Sequence, residues 1–325
     1  MPHDYRAIAK QFLRALRGRR SQVAFSRRIG FTSNVAAQWE SGRRIPRVLT
    51  VVAACGRARI DVLDALRSFR PSTAHLLQEH QGLAGDILAR WLNAQRGKET
   101  VSAISRRAAL SRYQAARFFS GHCEPRLHEF FALIDVTTGR LSDLIALLVD
   151  IENVSELTSY HAQVVASRRL AFDEPWSSAV LAAVECLSTT KCEAIGRRLA
   201  SAFGLELEQV RSCLEQLERA RIIQRTRGRY RLSAALVIDT RGAPDGARRL
   251  RQHWTGVAHA RLAQPRADDV FSYNVFSVSR EDLLLIGRLQ REHFQRLRAI
   301  IAKSSSETVA LLNMQLMEWG LVKEA

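Results

Sequence analysis

The chain has 325 residues, of which 46% are hydrophobic, so it is long enough for two or three domains with ordinary cores. Its formal net charge of +17 excludes an acidic protein and indicates a polyanionic partner. No apolar run approaches the roughly 18 residues of a membrane helix, and the N-terminal residues are not a signal peptide, which predicts a cytoplasmic protein without a membrane partner. The five scattered cysteines predict reduced thiols and no metal site.

The positive charge is concentrated near the N-terminus. Residues 1–70 contain 15 Arg or Lys and 4 acidic residues, a net charge of +11, whereas residues 71–150 contain 9 and 8. A positive net charge is also found in proteins that bind anionic membranes, and in proteins where it serves solubility alone. A charge excess confined to one segment favours DNA instead.

Residues 21–46, SQVAFSRRIGFTSNVAAQWESGRRIP, predict two short helices joined by a glycine turn. The first helix is predicted over Gln22–Ile29, and Gly30 supplies the turn because glycine enters left-handed backbone without steric cost. Thr32 or Ser33 is predicted to cap the second helix. The side chains predicted to face the core are Val23, Phe25 or Ser26, Ile29, Val35, Ala36 and Trp39. Glu40 is predicted to pair with an arginine of an earlier helix, Arg14 or Arg17.

This segment resembles the Cro and phage-repressor (lambda-repressor-like, XRE-type) helix-turn-helix over roughly residues 5–68. The resemblance implies that the second helix enters the major groove. It places the base-reading positions at Ser33, Asn34, Ala37 and Gln38. The implied phosphate-binding residues are Gln22, Arg43 and Arg44.

Among the base-reading positions, Asn34 and Gln38 are the strongest candidates because an amide pairs in bidentate fashion with adenine. Ala37 departs from the polar residue usual in the family and offers at most a contact to a thymine methyl. Solvated helix positions remain the alternative for Gln22 and Asn34. Trp39 and Glu40 are interpreted as structural.

Residues 91–126 repeat residues 12–47 at an offset of 79, with 14 of 36 aligned positions identical. The repeat predicts a second helix-turn-helix-like domain. Several positions have changed, since Gln22 corresponds to Val101, Gly30 to Ala109 and Arg44 to Cys123. We therefore interpret the second copy as a packing or dimerisation module. A second DNA reader remains the alternative, because the copy has this recognition-helix set: Arg112, Tyr113, Gln114 and Arg117.

Residues 175–233 predict three helices followed by a hairpin around Gly228, which resembles a winged helix. The predicted inward positions are Val180, Val184, Ile195, Leu199, Val210, Leu214 and Leu217. The third helix is acidic and would be repelled by phosphate. A structural connector and a DNA-binding unit are therefore both open, and in the second case four arginines of the wing would track the DNA backbone: Arg225, Arg227, Arg229 and Arg231.

The C-terminal residues predict a small α/β domain. A helix over residues 246–263 precedes a strand at Val270–Val278, a long helix at Arg280–Lys303 and a strand at Thr308–Leu316. Ser279 and Asp282 predict a capping box. The predicted buried stripe of the long helix is Leu283, Ile286, Phe294, Leu297 and Ile301, and that of the last strand is Ala310, Leu312, Met314 and Leu316. About residues 155–320 resemble an uncharacterised bacterial domain of unknown function.

The predicted fold class is mainly α, with two lambda-repressor-like helical domains in tandem, a winged-helix-like unit and a small C-terminal α/β domain. The predicted segments are residues 1–70, 74–150, a helical connector at 151–174, 175–234 and 235–325. We find no phosphate-binding glycine loop, metalloprotease motif or nucleophile elbow, so no enzyme, cofactor or metal is predicted.

We predict a transcriptional regulator that binds double-stranded DNA as a homodimer, with a protein, peptide or small-molecule effector at the C-terminal domain. The alternative is a peptide-sensing or protein-sensing interaction module in which DNA binding is secondary. A nucleic-acid enzyme targeted by the N-terminal domain is a third hypothesis, but it lacks candidate carboxylates.

Overall fold

A computed structural model describes residues 3–77, 83–97, 99–233, 243–301 and 304–320. These residues are mainly helical and contain one two-stranded antiparallel sheet. They form two compact units, of which the first ends at Ala166 and the second begins at Ser167. Within the described ranges, no helix combines the length and apolarity that crossing a membrane requires.

The first repeat is a five-helix unit. Its helices are α1 (Tyr5–Arg17), α2 (Gln22–Arg28), α3 (Val35–Ser41), α4 (Val48–Arg57) and α5 (Val62–Phe69). The predicted turn is confirmed, because Gly30 has a φ of +89°. A short 3-10 helix follows at Pro71–Leu77.

Two local predictions in this repeat are wrong. Asn34, and not Thr32 or Ser33, caps α3, and its Oδ1 accepts the Ala37 N–H at 3.2 Å. Val23 is 46% exposed, because Phe25, Ser26 and Ile29 already fill the inner face of this seven-residue helix. The other predicted core positions of the segment are buried, including Trp39 at 3% exposure.

The second repeat reproduces the same order of helices. They are α6 (Gly85–Arg96), α7 (Val101–Arg107), α8 (Arg112–Phe119), α9 (Leu127–Thr138) and α10 (Leu141–Leu148). Both α2 and α5 recur in α7 and α10 at the same 79-residue offset. The duplication seen in the sequence is therefore also a duplication of structure.

The turn of the second repeat keeps its left-handed backbone without glycine. Ala109 corresponds to Gly30 and has a φ of +53°. An L-residue pays about 1–2 kcal/mol in this region, partly offset because glycine loses more chain entropy on folding. We expect Ala109→Gly to raise the free energy of unfolding by about 0.5–1 kcal/mol, measured by denaturant unfolding or hydrogen exchange of α7 and α8.

The reverse change in the first repeat is the matched control for Ala109→Gly. The backbone at Gly30 is left-handed, which strains any residue with a Cβ, and that Cβ would also displace the Arg57 guanidinium. Gly30→Ala should therefore destabilise the first repeat. Equal effects of one sign from both substitutions would contradict this account of the turn.

One hydrophobic core serves both repeats. Phe12 in α1 meets Phe131 in α9 edge to face, with ring centroids 5.5 Å apart. Trp91 is fully buried and lies between Phe69 of the first repeat and Phe130 of the second, at 6.1 and 6.3 Å. Because these rings belong to one buried cluster, neither repeat has a complete core of its own.

A connecting segment follows the second repeat. It begins with a 3-10 helix at Ile151–Asn153 and continues as α11 (Ser155–Asp173), as the predicted helical connector requires. The boundary between the two compact units falls within this helix, between Ala166 and Ser167.

The predicted winged-helix elements are observed in the second compact unit. They are α12 (Ser177–Cys186), α13 (Cys192–Phe203), α14 (Leu207–Arg219), β1 (Ile223–Thr226) and β2 (Arg229–Leu232). The strands pair antiparallel, with Ile223 opposite Leu232. All seven predicted inward side chains are buried in one cluster.

The predicted α/β character of the C-terminal segment is not observed. The helices α15 (Pro244–Ala263) and α16 (Arg280–Ile301) are present, but residues 270–278 and 308–316 form no strand. An alternating pattern needs a pairing partner to become a strand, and no neighbouring strand lies among the described residues. Ser279 does cap α16, by accepting the Asp282 N–H at 3.0 Å.

The predicted buried stripes of this segment are also wrong. Phe294 and Ile301 of α16 are 47% and 68% exposed, and Leu283, Ile286 and Leu297 are half-buried. In the last segment Leu312 is 52% and Met314 is 40% exposed, and Ala310 and Leu316 are exposed too. The described parts of the chain leave these apolar side chains exposed or only half covered.

Candidate nucleic-acid interface

A buried serine joins the two helices of the first helix-turn-helix. The Ser26 hydroxyl accepts the Ala36 N–H at 3.0 Å and donates to the Gln22 carbonyl at 2.8 Å. Ser26 is only 1% exposed, so these bonds form away from competing water. They fix the start of α3 against α2, and thereby the angle at which α3 is presented.

A buried carboxylate anchors the other end of α3. Glu40 is 7% exposed and accepts from Arg17 Nε at 2.6 Å and from Gln22 Nε2 at 3.0 Å. Arg14 Nε lies 3.8 Å from Glu40 Oε2, so the predicted pairing with Arg14 or Arg17 is confirmed, and both take part. Burial raises the pKa of Glu40, but the Arg17 and Gln22 hydrogen bonds outweigh it, so the pKa lies below its ordinary value.

The predicted base-reading positions of α3 are largely exposed. Ser33, Asn34 and Gln38 are exposed and Ala37 is half-buried. Because Asn34 Oδ1 already accepts the Ala37 N–H, a bidentate pairing of Asn34 with adenine has only the second lone pair of that oxygen, in the orientation that the cap imposes. The Gln38 side chain has no hydrogen-bond partner among the described residues, and its backbone carbonyl accepts the Arg44 N–H at 3.1 Å and the Ser41 hydroxyl at 3.2 Å. Gln38 is thus a stronger candidate for base reading than Asn34.

The predicted phosphate-binding residues form two groups. Arg43 and Arg44 are exposed in the loop that follows the αL residue Gly42. Gln22 is half-buried and one amide proton is engaged by Glu40, which leaves the other for a phosphate. In the structure, the Gln22 amide therefore orients the Glu40 carboxylate.

Three exposed arginines next to α2 and α4 were not singled out from the sequence. Arg19 and Arg20 directly precede α2, and Arg47 directly precedes α4. The sequence could have identified them, because each of these arginines lies near a helix N-terminus in the most basic segment of the chain. Positive side chains at these places add to the field that attracts a phosphate backbone.

The four arginines of the wing are all exposed on the β1–β2 hairpin. Arg225 is partly held, because its Nη2 donates to the Tyr230 hydroxyl at 3.2 Å and its guanidinium lies 5.5 Å from the Tyr230 ring centre. Arg227 and Gly228 at the tip have φ values of +52° and +73°. The wing therefore presents a compact positive ridge, as its predicted backbone contacts would require.

The comparisons with known proteins concern the second half of the chain. Residues 158–318 match the family model of a domain of unknown function, DUF4423. This match confirms the resemblance that the sequence showed over about residues 155–320. No helix-turn-helix family model matches the N-terminal residues. Nothing among the curated proteins and nothing among the solved structures matches the chain.

Proposed function

We propose that the protein is a sequence-specific DNA-binding transcriptional regulator that reads the major groove with α3. The observation that supports this proposal is the exposed side chain of Gln38, on a helix held by Ser26 and Glu40 and followed by two exposed arginines. An amide presents both a donor and an acceptor, as adenine does in the major groove. The net charge of +11 on residues 1–70 supplies the attraction to phosphate.

We expect Gln38→Ala to weaken binding to the preferred sequence by roughly 1–3 kcal/mol and to leave nonspecific affinity unchanged. Removing one bidentate contact affects only those sequences that offer the matching adenine. The measurement is equilibrium binding of the full chain to the preferred duplex and to a scrambled one. Gln252→Ala, an exposed amide in α15, is the matched control and should change neither affinity. Equal affinity of Gln38→Ala and wild type for the preferred duplex would contradict the role of α3.

We expect Arg43→Ala to act differently, because a phosphate contact is independent of sequence. Affinity should fall for every duplex, and the slope of log K against log salt should decrease in magnitude by about one unit. A salt titration of binding measures this slope. Arg169→Ala removes a guanidinium that is 85% exposed in α11 and should leave it unchanged. An unchanged slope for Arg43→Ala would remove this loop from the interface.

The second candidate function is a peptide-sensing or protein-sensing module. It is favoured by the apolar side chains exposed in the C-terminal segment, where Val270, Tyr273 and Trp319 are 90%, 94% and 72% exposed. Patches of this kind mark protein interaction sites. An effector at this segment belongs to this second candidate. A homodimer is the alternative to a single chain on the DNA, and sedimentation over a hundredfold concentration range tests it.

A further inference from the structure

The two repeats exchange a reciprocal pair of backbone hydrogen bonds. The Val48 N–H donates to the Pro125 carbonyl at 3.1 Å, and the Leu127 N–H donates to the Pro46 carbonyl at 2.9 Å. These bonds flank an antiparallel bridge between Arg47 and Arg126. Each partner is the 79-residue equivalent of the other, so the contact is isologous, as at the interface of a symmetric dimer.

The helices that pack across this contact are also equivalent pairs. α5 packs against α10, and α4 packs against α9. The bounds of α5 and α10 correspond residue for residue at the 79-residue offset. The fold of the first compact unit is therefore that of two helix-turn-helix subunits joined in one chain. Two such subunits about a twofold axis present two recognition helices to one duplex.

The second repeat preserves the frame that presents a recognition helix. Ser105 corresponds to Ser26 and is 4% exposed, and Phe118 takes the core position of Trp39 at 4% exposure. Ala109 retains the left-handed turn, and Ser111 caps α8 through a complete capping box with Gln114.

The exposed face of α8 differs chemically from that of α3. Its four side chains Arg112, Tyr113, Gln114 and Arg117 are exposed, and Tyr113 is 71% exposed although it is a large aromatic residue. The Arg117 guanidinium lies 5.6 Å from the Tyr113 ring centre. Arg117 is the equivalent of Gln38, and Arg112 is the equivalent of Ser33. Arginine pairs with guanine O6 and N7, whereas glutamine pairs with adenine.

The loop that follows α8 contacts the first repeat. Glu124, the equivalent of Ile45, accepts the Leu49 N–H of the first repeat, and its carbonyl accepts from Arg47 Nη1 at 3.0 Å. The change in this loop therefore serves the contact between repeats. Beside the loop lies an open cleft of about 220 Å³, lined by Arg47, Arg117 and Arg126 together with Glu124 and Glu129. The cleft therefore carries three guanidinium groups against two carboxylates, and both carboxylates also accept backbone N–H groups.

We propose that α8 is a second major-groove reader, so that one chain recognises a single operator with two unlike half-sites, one read by Gln38 of α3 and one by Arg117 of α8. This inference rests on the proposed function, since it assigns the second half of the same DNA site. The operator is not palindromic, and its second half-site contains a guanine at the base pair that Arg117 contacts. The half-sites lie roughly one helical turn apart.

The test uses the full chain and a preferred duplex in which every base pair is changed in turn. Arg117→Ala should weaken binding about 5- to 150-fold and remove the base preference in the second half-site only. Gln38→Ala should remove preference in the first half-site only. Native mass spectrometry should find one chain on the duplex.

Two further variants keep the test independent of folding. Arg117→Lys retains the charge but not the bidentate geometry, so it should lose the guanine preference while keeping the salt slope. Arg90→Ala, an exposed arginine of α6, is the matched control and should bind as wild type does. The proposal is overturned if Arg117→Ala keeps every base preference while Gln38→Ala loses some, an outcome that leaves the proposed function intact. It is equally overturned by a palindromic site that binds two chains. Absence of any sequence preference in the wild type would overturn the proposed function and this inference together.

Discussion

Replacing Phe131 with alanine is expected to lower the free energy of unfolding of both repeats by about 3–5 kcal/mol. Phe131 is 1% exposed in α9 and packs edge to face on Phe12 of the first repeat. Its removal leaves a cavity in the core that the repeats share, and an aromatic contact worth about 1 kcal/mol is lost with it. The loss should therefore reach helices far from residue 131 in sequence.

Hydrogen exchange resolves this effect by repeat, because slowly exchanging amides report the local free energy of opening. Amides of α2 and α3 should lose as much protection as those of α7 and α8. Leu147→Ala, at a side chain that is 46% exposed in α10, is the control and should change stability by less than about 0.5 kcal/mol. Loss of protection in the second repeat alone would show that the repeats are independent domains.

Glu40→Ala is expected to destabilise the first repeat by about 3 kcal/mol. The substitution leaves the Arg17 guanidinium and the Gln22 amide without their acceptor, and removing one partner of a buried ion pair is costly. The estimate is kept at the lower end of the usual range because the Arg17 side chain is 18% exposed. Asp64→Ala breaks an ion pair at a carboxylate that is 69% exposed, and it should cost no more than about 0.5 kcal/mol.

The same residue makes the stability of the first repeat depend on pH. The pKa of Glu40 is lowered in the folded state from its ordinary value of 4.5, so its contribution is present above that pH. It is lost as the pH falls through the lower folded-state pKa. Unfolding of wild type and of Glu40→Gln, followed from neutral to acid pH, should show a steeper loss for wild type. Parallel pH profiles would mean that Glu40 does not titrate as the structure indicates.

The sequence predicted those elements whose signals are local. Gly30, the Phe25 and Ile29 spacing and the basic loop were sufficient for the helix-turn-helix, and Gly228 between alternating residues was sufficient for the wing. The sequence alone does not identify the N-cap of α3, because Thr32, Ser33 and Asn34 are three consecutive residues of types that cap helices well. Only the hydrogen bond from Ala37 distinguishes Asn34 from the other two.

Features that depend on distant contacts were missed or wrong. The alternation at residues 270–278 predicted a strand, yet a strand exists only through its pairing, which the described residues lack. The reciprocal bonds of Pro46 and Pro125 join residues 79 positions apart, and no periodicity reports such a contact. The sequence favours a packing module for the second repeat, and Glu124 does join the two repeats in the structure, through a contact that no local pattern could locate.

Selection of bound sequences from a random DNA pool, with the full chain, tests the central claim most directly. We expect one defined motif to be enriched by the wild type, and the same motif to be lost by a variant carrying Gln38→Ala and Arg43→Ala. The full chain is required, because residues 1–70 alone lack the part of their core that Phe131 and Trp91 supply. A pool that stays random with the wild type, or the same motif recovered with the variant, would contradict DNA reading by α3.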